Sequence, residues 1–68
     1  MIELPTKFEE QVLEYPEYSY GVTRIVVTLP DGIEYNDVFV ALGKEIVKVG
    51  SSEEVPFDPS KIIAVRRQ

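Results

Sequence analysis

Alternation of apolar and polar residues is clearest in the middle of the chain. Over residues 23–29 the side chains of Thr23, Ile25, Val27 and Leu29 fall on one side, and β-branched residues dominate. This pattern is typical of a strand rather than a helix. Residues 30–32, Pro-Asp-Gly, follow, and because proline fixes φ while glycine accepts a positive φ, they favour a tight reversal. We therefore predict a β-hairpin.

The apolar positions of the returning strand change parity partway along it. Ile33 and Tyr35 share one parity, whereas Val38, Val40 and Leu42 share the other. Since one extra residue in a strand moves every later side chain to the opposite face, this slip predicts a β-bulge at residues 36–37.

A third strand is predicted after a second turn at residues 43–44. It covers residues 45–49, with Ile46 on one face and Val47 and Val49 on the other.

The rest of the chain predicts one more strand. Residues 50–54 form a loop, and residues 56–60 contain two prolines, which favour a turn or a single 3₁₀ turn over a strand. Residues 62–66 are rich in apolar and β-branched side chains, which predicts a short final strand.

The N-terminal segment carries a helix signal. Thr6 and Glu9 have the spacing of a capping box, and Pro16 prevents continuation. Apolar residues recur at helical spacing, at Phe8, Val12 and Tyr15. We predict about two turns of helix over residues 7–13. The same segment also fits a strand with residues 11, 13 and 15 on one face, an alternative that so short a stretch leaves open.

Several of these strands are apolar on both faces, so a single sheet cannot leave one face in water. The sheet must curl into a small barrel, or pack its second face on the N-terminal segment or on another subunit. We expect the barrel: a mainly β, antiparallel domain of about five strands with a short N-terminal helix or extra strand. The chain is then one domain, residues 1–68, with an N-terminal segment (1–18) and the barrel (19–67).

The order of these elements resembles a known family. A three-strand meander, a proline-containing turn over residues 55–62 and a short final strand resemble the Src-homology-three-like barrel over roughly residues 20–67, and are similar to small uncharacterised bacterial barrels. In peptide-binding members, tyrosines near the start and a proline near the last turn build a groove for polyproline peptides, joined by a tryptophan. Tyr15, Tyr18, Tyr20 and Pro56 are similar to the first two features, whereas this chain has no tryptophan.

The amino-acid composition limits the catalytic and metal-binding chemistry that the side chains can perform. The chain has neither cysteine nor histidine, which removes thiolate nucleophiles, the common zinc ligands and an imidazole base. We therefore expect no enzyme, catalytic residue, metal site or cofactor. The acidic side chains at residues 9, 10, 14, 53, 54 and 58 are interpreted as solvated surface. Without a long apolar run or a secretion signal, we expect a cytoplasmic protein that does not enter membranes.

A binding patch is the remaining candidate site. Three tyrosines lie within six residues, and tyrosine is enriched at recognition surfaces. The candidate residues are Tyr15, Tyr18, Tyr20, Pro56 and Phe57. In the alternative interpretation the tyrosines close the open end of the barrel, Phe57 fills its interior, and Asp58 and Ser60 cap the local turn.

The functional hypothesis is a non-enzymatic binding or assembly module that contacts protein, or a second copy of itself, through the tyrosine patch or a strand edge. The formal charge of −5 disfavours nucleic acid as a partner. The alternative is nevertheless a small barrel that binds nucleic acid through a local basic face made by Arg24, Lys61, Arg66 and Arg67.

Overall fold

The computed structural model describes residues 2–68, and within them the fold is mainly β, as predicted. Two short helical pieces come first, a 3₁₀ turn (Thr6–Phe8) and α1 (Glu9–Leu13). The strands β1 (Val22–Thr28), β2 (Glu34–Ala41) and β3 (Glu45–Val49) follow, and a second 3₁₀ turn (Pro59–Lys61) precedes β4 (Ala64–Arg67). No helix among these residues has the length and apolar character needed to cross a lipid bilayer.

The sheet is open and has four strands. Its order is β3-β2-β1-β4, and every neighbouring pair is antiparallel. This order is compatible with a small barrel-like fold, but within residues 2–68 the edge strands β3 and β4 do not pair. The expected closed barrel of about five strands is therefore wrong.

The N-terminal segment explains why the sheet stays open, because it contacts both edges. At the β3 edge the amide of Leu4 donates to the carbonyl of Lys44 (2.7 Å), and the amide of Ile46 donates to the carbonyl of Ile2 (2.8 Å). At the β4 edge the side-chain amide of Gln11 donates to the carbonyl of Val65 (3.0 Å). The segment thus satisfies edge groups that barrel closure would otherwise pair.

The same segment covers the inner face of the sheet, which confirms that the sheet packs one face on the N-terminal residues. Phe8 and Val12 from the helical pieces join Leu4 and Ile62 against the inward side chains of the strands. The buried cluster contains Leu4, Phe8, Val12, Ile25, Val27, Val38, Val40, Ile46, Ile62 and Val65. Burial of these side chains supplies most of the driving force for folding.

The helix predicted over residues 7–13 is confirmed, whereas its capping box is wrong. The chain enters the helix through the 3₁₀ turn, where the amide of Phe8 donates to the carbonyl of Pro5 (3.0 Å), and neither helical piece has a side-chain cap. Pro5 precedes the turn in an extended conformation and sets its direction, so the Thr6 hydroxyl is not used as a cap.

The hairpin and the bulge in β2 are confirmed. Gly32 has φ of 88°, and its amide donates to the carbonyl of Leu29 (2.9 Å), which closes the turn. Along β1, Ile25 pairs with Val38 and Val27 pairs with Tyr35, so the single residue between them on β1 faces two on β2. The extra residue is accommodated because residue 37 adopts a positive φ of 55°.

A second bulge, which the sequence did not indicate, lies in β3. Phe39 pairs with Lys48 and Val40 pairs with Ile46, so Val47 is the extra residue. As a result Ile46 and Val49 both pack on the core, and the prediction that they face opposite sides is wrong. The bulged Val47 is instead the exposed apolar residue of β3.

The C-terminal elements follow the prediction closely. The 3₁₀ turn forms, and the Asp58 carboxylate caps it by accepting from the amide (3.0 Å) and hydroxyl (2.7 Å) of Ser60. The final strand β4 begins at Ala64 rather than at residue 62, because Ile62 turns into the core and is almost fully buried.

Candidate binding surfaces

An open groove of about 400 Å³ lies between the β1–β2 hairpin and the segment that leads to β4. We call it the Phe57 groove. Its lining residues are Leu29, Pro30, Asp31, Tyr35, Pro56, Phe57, Asp58 and Lys61. The rings of Tyr35 and Phe57 form its floor, with centroids 4.9 Å apart and planes inclined at 40°. Both rings are half-buried and pack on the core, so the floor is held in place from below.

Two carboxylates lie at the rim of this groove, each oriented by a turn. One oxygen of Asp31 accepts from the amide of Ile33 (3.0 Å), and one oxygen of Asp58 accepts from Ser60. The hydrogen bonds from Ser60 hold the pKa of the Asp58 carboxyl below its ordinary value, because they stabilise the charged form. Lys61 is the one basic residue of the lining. The groove thus combines aromatic surface with an excess of negative charge.

The outer face of the sheet carries a row of aromatic and basic side chains. Arg24, Phe39 and Lys48 are direct cross-strand neighbours on β1, β2 and β3. The Tyr18 ring meets the Phe39 ring edge-on at 5.0 Å, with the Arg24 guanidinium 5.1 Å from the Tyr18 centroid and the Lys48 ammonium 4.8 Å from the Phe39 centroid. We call this arrangement the outer-face row. It buries Phe39 almost completely although Phe39 faces away from the core.

The basic residues proposed for nucleic-acid binding are only partly brought together. Arg66 lies opposite Val26 on the outer face, and Arg67 lines a groove with Tyr18 and Arg24. Lys61 instead lies in the Phe57 groove.

Two of these arginines are engaged by carboxylates. Arg66 donates to Glu34 (3.1 Å), which lowers the pKa of the Glu34 carboxyl, and Arg24 is 3.7 Å from Asp37. The adjacent acids reduce the positive charge that this face presents.

A third surface lies at the end of the sheet where the β2–β3 turn meets α1. Leu13 is 56% exposed, Leu42 is 66% exposed, and Tyr20 is fully exposed. Leu13 packs over Gly43, and Leu42 packs over Gly21, whose carbonyl accepts from the amide of Leu42 (2.7 Å). We call the three exposed apolar side chains of Leu13, Tyr20 and Leu42 at this end of the sheet the leucine end.

The five residues of the predicted patch lie in different places. Tyr15 is half-buried near α1 and accepts from the Gln11 side chain (2.6 Å), Tyr18 belongs to the outer-face row, and Tyr20 belongs to the leucine end. Pro56 and Phe57 do meet, in the Phe57 groove.

Sequence reasoning did not assign two residues of these surfaces. Tyr35 belongs to the floor of the Phe57 groove, and the parity slip that placed it on the side of Val27 was the available signal. Leu42 was predicted to continue the apolar face of Val38 and Val40, which is wrong, because β2 ends at Ala41 and Leu42 lies in the following turn with its side chain exposed.

Residues 2–68 contain no group of three or more acidic side chains placed to hold a metal ion. Comparisons of the chain with protein-family models, with curated proteins and with solved structures found no match.

Proposed function

We propose that this domain is a non-enzymatic binding module, and that the Phe57 groove receives a short extended segment of another protein. The observation that carries the proposal is the aromatic pair of Tyr35 and Phe57, fixed on the core and open to solvent between two proline-containing turns. Rigid aromatic surface provides contact area at a low cost in conformational entropy. The groove also lies within the volume range of ordinary ligand sites.

The charges of the groove favour a basic side chain in the bound segment. Asp31 and Asp58 face a single lysine, and both are held by their own turns rather than by an ion pair within residues 2–68. An arginine or lysine of the partner would lie over the ring of Phe57 and between the carboxylates, where cation–π and charge-assisted interactions reinforce each other. A proline-bearing segment fits best, because it is already extended before binding.

Strand addition at a sheet edge is less suited to this chain. Gln11 covers one carbonyl of β4, and the N-terminal residues cover part of β3. The groove is therefore the preferred contact surface in this proposal. We also propose that the domain is located in the cytoplasm.

The test uses two synthetic peptides that alternate proline with small residues and differ only in one central residue, arginine or glutamate. Titration of the ¹⁵N-labelled domain should shift the amide signals of Tyr35, Phe57 and Asp58 with the arginine peptide and not with the glutamate peptide. The double substitution Asp31→Asn with Asp58→Asn should weaken binding several-fold, since asparagine keeps both turn hydrogen bonds while removing both charges.

The matched control is Glu53→Gln with Glu54→Gln, which removes the same charge from the neighbouring loop and should leave the affinity unchanged. Equal binding of the two peptides, or signals that shift only outside the groove, would contradict the proposal.

Nucleic-acid binding is the second candidate function, supported by the outer-face row. Arg24, Lys48, Arg66 and Arg67 lie on or beside this face together with the exposed Tyr18 ring, and basic side chains with an aromatic ring suit a single strand. Titration with mixed single-stranded oligonucleotides at low salt is the test, because phosphate contacts are strongest there. Binding that Arg66→Gln with Arg67→Gln abolishes would support this function, and no binding at low salt would exclude it.

A further inference from the structure

We propose that the leucine end is a second, separate protein-binding surface, and that its partner is an amphipathic segment of another protein whose apolar side chains are flanked by lysine or arginine. The surface lies at the opposite end of β1 from the Phe57 groove, since Val22 pairs with Ala41 beside Leu42 while Thr28 pairs with Glu34 beside the hairpin. One domain would then carry a contact at each end.

The strongest observation is the backbone of Leu42. Its φ is 53°, in the left-handed region that glycine and asparagine enter readily and that other residues enter at a cost in free energy. Its side chain is two-thirds exposed, so burial in the folded domain returns little of that cost. The two-residue turn closed by the hydrogen bond from Lys44 to Ala41 requires a positive φ at this position, where asparagine rather than leucine is favoured, so the turn itself does not explain the leucine.

The second observation is the proximity of Leu13 and Leu42 through the two glycines that they cover. Leu42 and Gly43 are adjacent in the turn, Leu13 lies on Gly43, and Leu42 lies on Gly21, the residue after Tyr20. The two glycines let the leucines lie flat against the backbone. Exposed apolar side chains that lie close together are typical of a protein contact.

Charge complementarity decides between a second copy and a different protein. Glu9 and Glu10 line a shallow groove with Leu13, and no basic residue belongs to that lining. A symmetric contact between two copies would bring these same glutamates together. A partner with basic side chains around its apolar residues would pair with them instead, which also speeds association.

The test uses three synthetic peptides of equal length. The first has leucines at helical spacing with lysines elsewhere, the second replaces each lysine by glutamate, and the third replaces each leucine of the first by serine. Titration of the ¹⁵N-labelled domain with the leucine–lysine peptide should shift the amide signals of Leu13, Tyr20, Leu42 and Gly43. The other two peptides should leave these signals in place, because one lacks the charges and the other lacks the apolar contact.

Leu42→Asn is the decisive variant. It removes the exposed side chain and relieves the left-handed strain, so the melting temperature should stay the same or rise while the affinity for the leucine–lysine peptide falls by about tenfold or more. Ile63→Asn removes another exposed apolar side chain (56% exposed, against 66% for Leu42) away from the leucine end and should not change that affinity.

Three results would overturn the proposal. They are unchanged affinity of the Leu42→Asn variant, equal binding of the serine-containing peptide, and concentration-dependent shifts of the leucine-end signals without peptide, which would identify a second copy as the occupant. None of them bears on the Phe57 groove, which is tested with different peptides.

Discussion

The side-chain amide of Gln11 on α1 donates a hydrogen bond to the carbonyl oxygen of Val65 on the outer edge of β4, at 3.0 Å. The two residues are 54 positions apart, and the contact fixes the helix against the last strand. It is one of the few polar interactions that tie the N-terminal segment to the C-terminal strand.

Replacing Gln11 by methionine should lower the free energy of unfolding by about 1 kcal/mol, chiefly because the partly buried carbonyl of Val65 loses its donor, the bond to the Tyr15 hydroxyl being exposed, while side-chain size and helix propensity are kept. Urea denaturation followed by circular dichroism measures the effect. Glu10→Met places the same residue on an exposed position of the same helix and should change stability by less than about 0.5 kcal/mol. Equal loss in both variants would mean that the hydrogen bond contributes nothing.

This contact also shows why the closed barrel was predicted wrongly. The parity of apolar residues revealed the β2 bulge, since a slip between Tyr35 and Val38 has a purely local cause. Coverage of the β4 edge depends instead on a single glutamine reaching a carbonyl far along the chain, which periodicity does not encode. The sequence indicated that the inner face needed a cover, and left open whether strands or the N-terminal segment would supply it.

The candidate surfaces could be predicted only in part from the sequence. Pro56 and Phe57 are adjacent in the chain, so local chemistry was enough to bring them together. The tyrosines are also close in sequence, yet the turn before β1 directs Tyr18 to the outer face and Tyr20 into solvent. Closeness in sequence does not bring side chains to one surface when the backbone between them turns.

Gly43 and Gly50 offer a second prediction. Both have positive φ, 71° and 60°, so an alanine at either site incurs the left-handed cost of about 1 kcal/mol. At Gly43 the added Cβ would also lie 2.8 Å from Cγ of Leu13 and 3.2 Å from the carbonyl oxygen of Glu9, whereas at Gly50 it would meet nothing within 4 Å. Gly43→Ala should therefore destabilise the domain more than Gly50→Ala.

Thermal denaturation of the two glycine variants measures the difference. Adding Leu13→Ala to Gly43→Ala should reduce the gap, because the smaller side chain makes room for the new methyl group. Equal melting temperatures for the two single variants would show that α1 does not pack on the β2–β3 turn as described.

The ion pair of Glu34 and Arg66 predicts a pH effect. Arg66 lowers the pKa of the Glu34 carboxyl, chiefly through its hydrogen bond and then through its charge. A carboxyl whose pKa is lower in the folded state stabilises the fold fully above its unfolded pKa, and this stabilisation disappears as the pH falls through the folded value. Arg66→Gln should therefore raise the pKa of Glu34, and the variant and the original protein should converge in melting temperature at acid pH.

Carbon-detected NMR titration of the Glu34 carboxyl reports its pKa directly. Arg67→Gln is the matched control, because it removes the neighbouring positive charge of β4 without touching the Glu34 hydrogen bond, and it should leave the Glu34 pKa nearer the original. If both variants shift the pKa equally, the general positive charge of β4 matters more than the hydrogen bond.

Two of the three tyrosines of the predicted patch, Tyr18 and Tyr20, should differ in their effect on stability. Tyr18 packs edge-on against Phe39 and lies beside Arg24, so Tyr18→Ala should expose Phe39 and cost about 1 kcal/mol or more in the free energy of unfolding, whereas Tyr18→Phe should keep most of it. Tyr20→Ala should change stability by less than about 0.5 kcal/mol, because that side chain is fully exposed. Urea denaturation of the three variants measures these differences in the free energy of unfolding. A large loss for Tyr20→Ala would show that its ring packs on the domain, and Tyr20 could then no longer be counted as free surface of the leucine end.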